Sequence, residues 1–448
     1  MIERIIFQIF HLETLFKYAT LVSMNTVKIY QLNHLSSTQY QRLRTAQQEA
    51  ALVWNACVAF HLQARMQHLR WPGRTALQKA TKGRFALHSQ SVQMVTHAFL
   101  ANVETTQQLR KMHPEMQMRY PYKEKRFYPV SWPAQAVSTQ GKRVVLPMGR
   151  GRDSLVLPVE LPEHSRSVKL VWNQGYELHV SIEASQAEHA PGEGHATVDL
   201  GEIHLASVTT TTNEALIVTG RGIRSLKRQR SKALRTIGKK QARCLKHSRR
   251  WNKLQRAKTK QARRAERRIR DQRHQATRKV ITFCVEQQVG TLFIGNPHGV
   301  RKRHAGRHHN QRMSLWEYGR DIDYLNHKAT QAHIECFTGS ERGTSSQCPE
   351  CGHKHKPRNR QWTCKACGFS GHRDLVGSIN MHTLAFGERV SFPRSYTYLR
   401  PAKSRKSSSR ADTPPRCLSQ LGSQPHVADV VSLEAGYRPN DAKKPVSL

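Results

Sequence analysis

Cys348 and Cys351 form one Cys-x-x-Cys pair and Cys364 and Cys367 a second, with twelve residues between the pairs. Two such knuckles place four thiolates around one tetrahedral zinc ion. Gly352 and Gly368 each follow the second cysteine of a pair, where the backbone must turn to aim amide N–H groups at sulfur. The sequence offers no fifth ligand, so the expected site is closed and structural: it orders a loop and performs no catalysis. His353, His355 and His372 lie close by, but the chain has 25 histidines, and these three are read as surface residues, not ligands. His304, His308 and His309 sit among arginines and are read as phosphate-side decoration.

Two acids also stand at positions suited to chemistry. Asp199 ends an apolar alternating run and is followed by Leu-Gly, and Asp374 opens a helical pattern after the second knuckle. A glycine just past a strand-end aspartate permits close approach of a phosphate, and an aspartate in a helix's first turn is favoured by the helix dipole. Local reasons alone also place aspartate at turns and helix starts, so neither acid is decisive by itself.

The charge distribution names a partner. The 448 residues carry 73 Lys+Arg against 31 Asp+Glu, a formal net charge of +42. Residues 221–280 alone hold 25 Lys or Arg and two acids, Glu266 and Asp271. A solvated helix face mixes both signs at spacings of three and four; this one carries like charges at most such spacings and needs phosphates alongside. Arg224, Lys227, Arg228, Lys239, Lys240, Arg249, Arg250, Lys253, Arg264 and Arg268 are the expected nucleic-acid contacts. Aromatics are nearly absent there except Trp251, which favours backbone contact with a duplex or folded RNA over base stacking. A membrane partner fits poorly: the longest apolar run, residues 5–22, is broken by His11, Glu13 and Lys17 and has no small-residue cleavage site. Nine cysteines, four of them clustered, suit a reducing cytoplasm and a metal site better than a disulfide framework.

The elements that must position these residues follow from periodicity. Met24 opens a strand-like run and is a candidate second start, which makes residues 1–23 a possible non-native extension. Ser36 and Ser37 start a helix with Leu43, Ala46, Ala50, Val53, Trp54 and Cys57 at helical spacing; another runs from about His88 to Met112 with Val92, Val95, Phe99 and Val103 on one face. From Arg143 the period becomes two, and the runs SVKLVW and YELHVSIE are joined by a turn at Asn173-Gln174-Gly175. This order predicts a β-barrel interrupted by helices. At about His195 three meandering strands begin, followed by helix, strand, helix, strand and helix, the order of an RNase H-like α/β core. Beyond about Glu388 the chain turns to Ser, Pro, Lys and Arg and reads as a mobile basic tail.

Taken together, VDLG (198–201), the basic helices ending in HQATRK, LFIGNPHGV (292–300), GTSSQCPECG (343–352), CKACGF (364–369) and HRDLVGSIN (372–380) resemble the transposon-encoded TnpB family. These are the IS200/IS605 OrfB-type transposases, related to Cas12 effectors. The resemblance covers about residues 196–385. It implies an RNA-guided DNA endonuclease in which base pairing reads sequence and the protein grips backbone. The implied architecture is multi-domain α/β: a first strand of a β-barrel (wedge) domain at 24–35, a helical recognition lobe at 36–130, and the rest of the barrel at 131–195. A split RuvC, RNase H-like domain then spans 196–387, including basic helices 221–288 and a zinc ribbon 343–371, before a disordered basic tail at 388–448. Implied partners are guide RNA and double-stranded DNA, with no membrane. Zn²⁺ is the implied structural ion and Mg²⁺ the catalytic one, held by Asp199, Asp374 and a second acid.

That second acid is missing from its usual strand end, where this chain has Gly295 and Asn296. Glu341, after a strand expected beside LFIG, is the candidate replacement; it is equally readable as an exposed residue in a polar turn. If it does not serve, the chain is a nuclease-dead, RNA-guided DNA-binding protein of the same fold. Val376 and Gly377 stand where the family's last helix usually has Asn and Ala, a departure expected to affect packing more than charge.

Overall fold

A computed structural model describes residues 25–184, 186–297, 306–355 and 359–401, together with the backbone of 429–432. Residues 1–23, Met24 and His304 lie outside these. The chain divides into two compact units, residues 1–185 and 186–448.

In the first unit, β1 (Asn25–Gln31) precedes three helices, α1 (Ser37–Met66), α2 (Arg74–Thr81) and α3 (Ser89–Met112). Ser36 closes a capping box with Gln39 at the start of α1, satisfying two of the helix's orphan N–H groups. The helical stripe read from the sequence is buried as expected, from Leu43 to Cys57 in α1 and from Val92 to Val103 in α3. Trp54 anchors the two helices, 5.2 Å edge-on to Phe99 and stacked at 4.6 Å on Tyr128. Short strands follow: β2 (Val130–Pro133), β3 (Ser138–Gln140), β4 (Arg143–Leu146) and β5 (Leu155–Leu157), then the long hairpin of β6 (Ser165–Trp172) and β7 (Tyr176–Glu183). The hairpin turn is where the sequence placed it, with Gln174 at φ 59° and Gly175 at φ 154°. Because β1 pairs with β7, the helices do interrupt a β unit at its first strand. The expected closed barrel is not what the hydrogen bonds build: β1-β7-β6-β2 form one sheet and β3-β4-β5 another. Strands of three or four residues in β2–β5 give ladders too short to join the two sheets edge to edge.

The second unit is a seven-stranded sheet in the order β12-β11-β8-β9-β10-β15-β16. Its strands β8 (Gly194–Leu200), β9 (His204–Thr210) and β10 (Ala215–Thr219) form the expected antiparallel meander. The basic helices α4 (Arg221–Gln241) and α5 (Arg249–Glu286) then lead to β11 (Val289–Asn296), parallel to β8. After α6 (Arg307–Leu315) and α7 (Tyr318–Gln331) comes β12 (Glu335–Ser340), parallel to β11, its expected neighbour. The strands β13 (Gln361–Thr363) and β14 (Ser370–His372) carry the second knuckle between them, and α8 (Arg373–Phe386) follows. One expectation fails here: the described part of the chain past 388 is not a featureless tail. β15 (Ser395–Leu399) adds to β10 in parallel, and β16 (Asp429–Ser432) pairs with β15. The run SYTYL is a strand because aromatic and β-branched side chains suit a half-buried sheet surface, a signal masked by the Ser, Pro and Arg around it.

The sheet's alternation decides what faces what. On β8, Ala196, Val198 and Leu200 join a core with Ile269, Ala276 and Val280 of α5 and Leu325 of α7. Thr197 points the other way, to α8, where its hydroxyl donates to Ser378 O (2.6 Å) and Ser378 Oγ donates to Thr197 O (3.0 Å). Asp199, two residues on, shares that face.

Candidate active site and zinc ribbon

The cysteine cluster has the geometry its spacing required. Cys348 Sγ lies 3.7 Å from Cys367 Sγ and Cys351 Sγ lies 3.5 Å from Cys364 Sγ, and all four sulfurs fall within 4.8 Å of one another. Gly352 and Gly368 adopt φ of +73° and +74°. Each donates its N–H back to the first cysteine's carbonyl, Gly352 to Cys348 O (3.0 Å) and Gly368 to Cys364 O (3.1 Å), which closes the knuckle. Ala366 N–H points at Cys364 Sγ (3.4 Å). Four convergent sulfurs, with no further His, Cys or acid in the group, suit a closed structural Zn²⁺ site. Trp362 and Val376 pack against Cys348 and Cys364, so the ribbon rests on α8. Asn380 of α8 fastens it further, donating to Thr344 O (2.6 Å) and Gln347 O (2.7 Å).

Asp199 feels both of the other acids. Burial pushes the Asp199 carboxyl well above the usual carboxylate range, and the negative charges of Glu341 and Asp374 push it further in the same direction. Two glycines make room. An ideal Cβ on Gly377 would fall 2.7 Å from Asp199 Oδ2, so the helix position the sequence marked as a packing departure is where α8 accommodates that carboxylate. An ideal Cβ on Gly295 would fall 2.6 Å from Glu341 Oε2 and 2.8 Å from Met381 Sδ. Glu341 therefore stands in the space that a side chain at position 295 would fill. Its Oε2 is buried without a hydrogen-bond partner, and burial pushes the carboxyl up to about 7. A buried carboxylate oxygen left without a donor, within electrostatic reach of Asp199, is a seat that an oxygen-preferring divalent cation such as Mg²⁺ fits.

Asp374 is held differently. His204 Nδ1 donates to its Oδ2 at 2.8 Å and Arg360 Nη1 at 2.7 Å, while Arg373 Nε lies 3.6 Å from Oδ1. Burial alone would raise this carboxyl, but the His204 hydrogen bond and the Arg360 charge hold it well below the usual range. His204, His372 and Asp374 place ligand-type atoms within 4.8 Å of one another. Nothing in the motifs singles out His204 or Arg360, and His372 reads from the sequence as a surface residue. His372 instead caps α8, its Nδ1 accepting the Asp374 N–H (3.3 Å). His204 carried a usable signal, since a histidine in a strand beside the Asp199 strand is within reach of the same sheet end; Arg360 carried none. Tyr318 and Glu202 also border the site, for the Tyr318 hydroxyl is pushed up by burial and by the charges of Glu341, Glu202 and Asp199.

Most of the cations named on the basic helices face solvent. Arg228, Lys239, Lys240, Arg249, Arg250, Lys253, Arg264 and Arg268 are exposed. Arg224 is half-buried and pairs with Glu202 (3.1 Å). Lys227 corrects the sequence reading: it is 8% exposed, bound to Leu315 O and to Glu317 Oε2 (3.1 Å), with its ammonium 5.1 Å over the Trp316 ring. It lies on the inward face of α4 with Ile223 and Leu226, so it is an internal tether and cannot grip phosphate. Among the described residues no helix is long and apolar enough to cross a membrane.

Comparison with known proteins follows the same division. Residues 176–301 match the OrfB_IS605 family, described as a probable transposase, and residues 318–381 match the Cas12f1-like TNB domain. The first segment contains Asp199; the second contains Glu341, the four cysteines and Asp374. No curated protein matches the chain. Among solved structures, a Cas12f1-sgRNA-target DNA complex is similar with a TM-score of 0.55 at 12% identity, over 77% of this chain and 82% of that one. The mini-RNA-guided endonuclease Cas_phi3 is similar with a TM-score of 0.49 at 9% identity, over 85% and 95%. The fold is thus Cas12-like, and the transposase and TNB matches fall on it in the order of the motifs.

Proposed function

We propose that this chain is a TnpB-like, RNA-guided DNA endonuclease. It holds a guide RNA paired with one strand of double-stranded DNA and hydrolyses DNA phosphodiesters with Mg²⁺ bound by Asp199, Glu341 and Asp374. One observation carries the reading: Asp199 lies within electrostatic reach of both Glu341 and Asp374, with Gly377 leaving room for the Asp199 carboxylate and Gly295 for that of Glu341. We read the seven-stranded sheet as a split RuvC, RNase H-like core with a zinc-ribbon insertion, and the N-terminal strands and helices as wedge domain and recognition lobe.

Bound magnesium supplies the charge that stabilises attacking and leaving oxygens of a phosphodiester. The protein's own part is to keep Asp374 anionic through His204 and Arg360, and to hold Asp199 and Glu341 half-buried within electrostatic reach, where the Glu341 charge raises the demand of Asp199 for a cation. The exposed arginines and lysines of α4 and α5 offer phosphate contacts with almost no aromatic surface, which suits grip on an RNA–DNA duplex by its backbone. The competing reading, a nuclease-dead binding protein, rests on the loss of an acid at Gly295 and Asn296. The place of Glu341, with its oxygen in the space beside Gly295, favours cleavage instead.

The test is purified protein with its own guide transcript, a matched plasmid and Mg²⁺. Guide-dependent nicking or linearisation is expected, abolished by Asp199→Ala while DNA binding persists. Guide-dependent binding without any cut would overturn the cleavage reading. Binding indifferent to the guide would overturn the guided one.

A further inference from the structure

His204 is 5% exposed and projects from β9, the strand beside the one that carries Asp199. A carboxylate only accepts hydrogen bonds, so the 2.8 Å contact to Asp374 Oδ2 requires the proton on Nδ1. Arg360, entering β13 of the zinc ribbon, donates to the same oxygen at 2.7 Å. Oδ2 therefore carries two donors. Oδ1 has only the Arg373 guanidinium at 3.6 Å, beyond hydrogen-bond distance, and is the oxygen left for a cation. The imidazole is itself fixed: the Tyr398 ring meets it edge-on at 5.9 Å and His372 lies 5.1 Å away. A rigid ring on a sheet strand is a better reference point than Arg360, whose side chain is 34% exposed and whose segment belongs to the ribbon.

We infer that His204 is a positioning residue for Asp374: its Nδ1–H fixes the carboxylate's rotation so that Oδ1, and not Oδ2, faces the divalent cation. The inference rests on Asp374 being a metal ligand, as the nuclease reading holds. Hydrogen-bond partners behind a metal-ligating side chain typically change metal affinity 10–100-fold when lost, and the same range is expected here.

The experiment compares His204→Asn with His204→Gln in the full, zinc-loaded chain. The Asn amide reaches the place of Nδ1 and retains the donor; the Gln amide reaches the place of Nε2 and does not. Both are polar amides, so a difference between them reports donor position and not burial of polarity. Mn²⁺ binding is followed by the electron paramagnetic resonance of free Mn²⁺, without nucleic acid, with Asp374→Asn as the reference for loss. Cleavage is followed against Mg²⁺ concentration. His204→Gln should weaken Mn²⁺ binding and raise the Mg²⁺ needed for half-maximal cleavage by about 10–100-fold, while His204→Asn stays near wild type and guide and DNA affinity are unchanged in both. Equal metal affinity in wild type and the Gln variant, or equal loss in both variants at matched melting temperatures, overturns the inference. Loss of Mn²⁺ affinity in the Gln variant of a protein that does not cut supports the positioning role and removes the nuclease reading, so the two fail separately.

Discussion

The place of Glu341 permits a test by moving the acid back. Standard bond lengths put a carboxylate oxygen of aspartate about 2.4 Å from its own Cβ, and Glu341 Oε2 lies 2.6 Å from where a Cβ on Gly295 would stand. An aspartate at 295 can thus set an oxygen near the one Glu341 now supplies, provided residue 341 is truncated, because the Glu341 Cβ lies 3.2 Å from that same point. Glu341→Ala removes one negative charge. At about 4 Å and an effective dielectric near 20, a unit charge pair is worth about 4 kcal/mol, equivalent to about three powers of ten in rate. Glu341→Ala is expected to slow guide-dependent plasmid cleavage by about that factor. Gly295→Asp/Glu341→Ala should recover to within about tenfold of wild type, and Gly295→Asp alone should melt lower, because two side chains then compete for one space. Plasmid nicking at fixed Mg²⁺, with melting curves alongside, reads all three. Wild-type cleavage by Glu341→Ala, or a well-folded double variant as slow as the single one, would refute the reasoning.

Arg273 is 1% exposed and bonds Asp321, also 1% exposed, and Glu317 O at 3.0 Å. Arg273→Met leaves Asp321 buried without its cation and should cost about 3–5 kcal/mol, a fall of about 6–20 °C in the second unit's melting temperature; Arg273→Met/Asp321→Leu should recover much of it. Removing zinc with a chelator, or Cys364→Ser, should unfold the ribbon and free Arg360 from Asp374, read as zinc release together with weaker Mn²⁺ binding. For the basic helices, Arg264→Ala and Arg268→Ala should weaken nucleic-acid binding and lower its salt slope by about one unit each, whereas Lys227→Ala should lower the melting temperature and leave that slope unchanged. Burial lowers the pKa values of His61 and His382 below 6.5 in the folded state. The unfolded chain then binds the extra protons, so stability should be complete above pH 6.5 and fall as pH drops below it; melting at pH 7.5 and 5.5 checks the sign in each unit.

Much of this protein is written locally in its chain. Cysteine spacing with a glycine after each pair dictates a knuckle, because four thiolates close together demand a cation and the turn demands a positive φ. The apolar stripes of α1 and α3, the β6–β7 turn and the β8–β9–β10 meander follow from short-range periodicity. The pairing of β12 with β11 is expected only by analogy with an RNase H-like sheet. What the chain alone left open depends on contacts between distant residues. Whether Glu341 is a turn residue or an acid of the site turns on a space opened by Gly295 from another strand. Which carboxyl stays ionised is set by His204 and Arg360, which reach Asp374 from separate segments and offset its burial, while at Asp199 burial and the charges of Glu341 and Asp374 outweigh that of Arg373. Lys227 is typical of a phosphate-binding run by sequence and internal by fold, because a helix has two faces and packing against Trp316 and Glu317 selects which one turns inward. Electrostatic energies depend on distance in space, and only folding converts separation along the chain into separation in space.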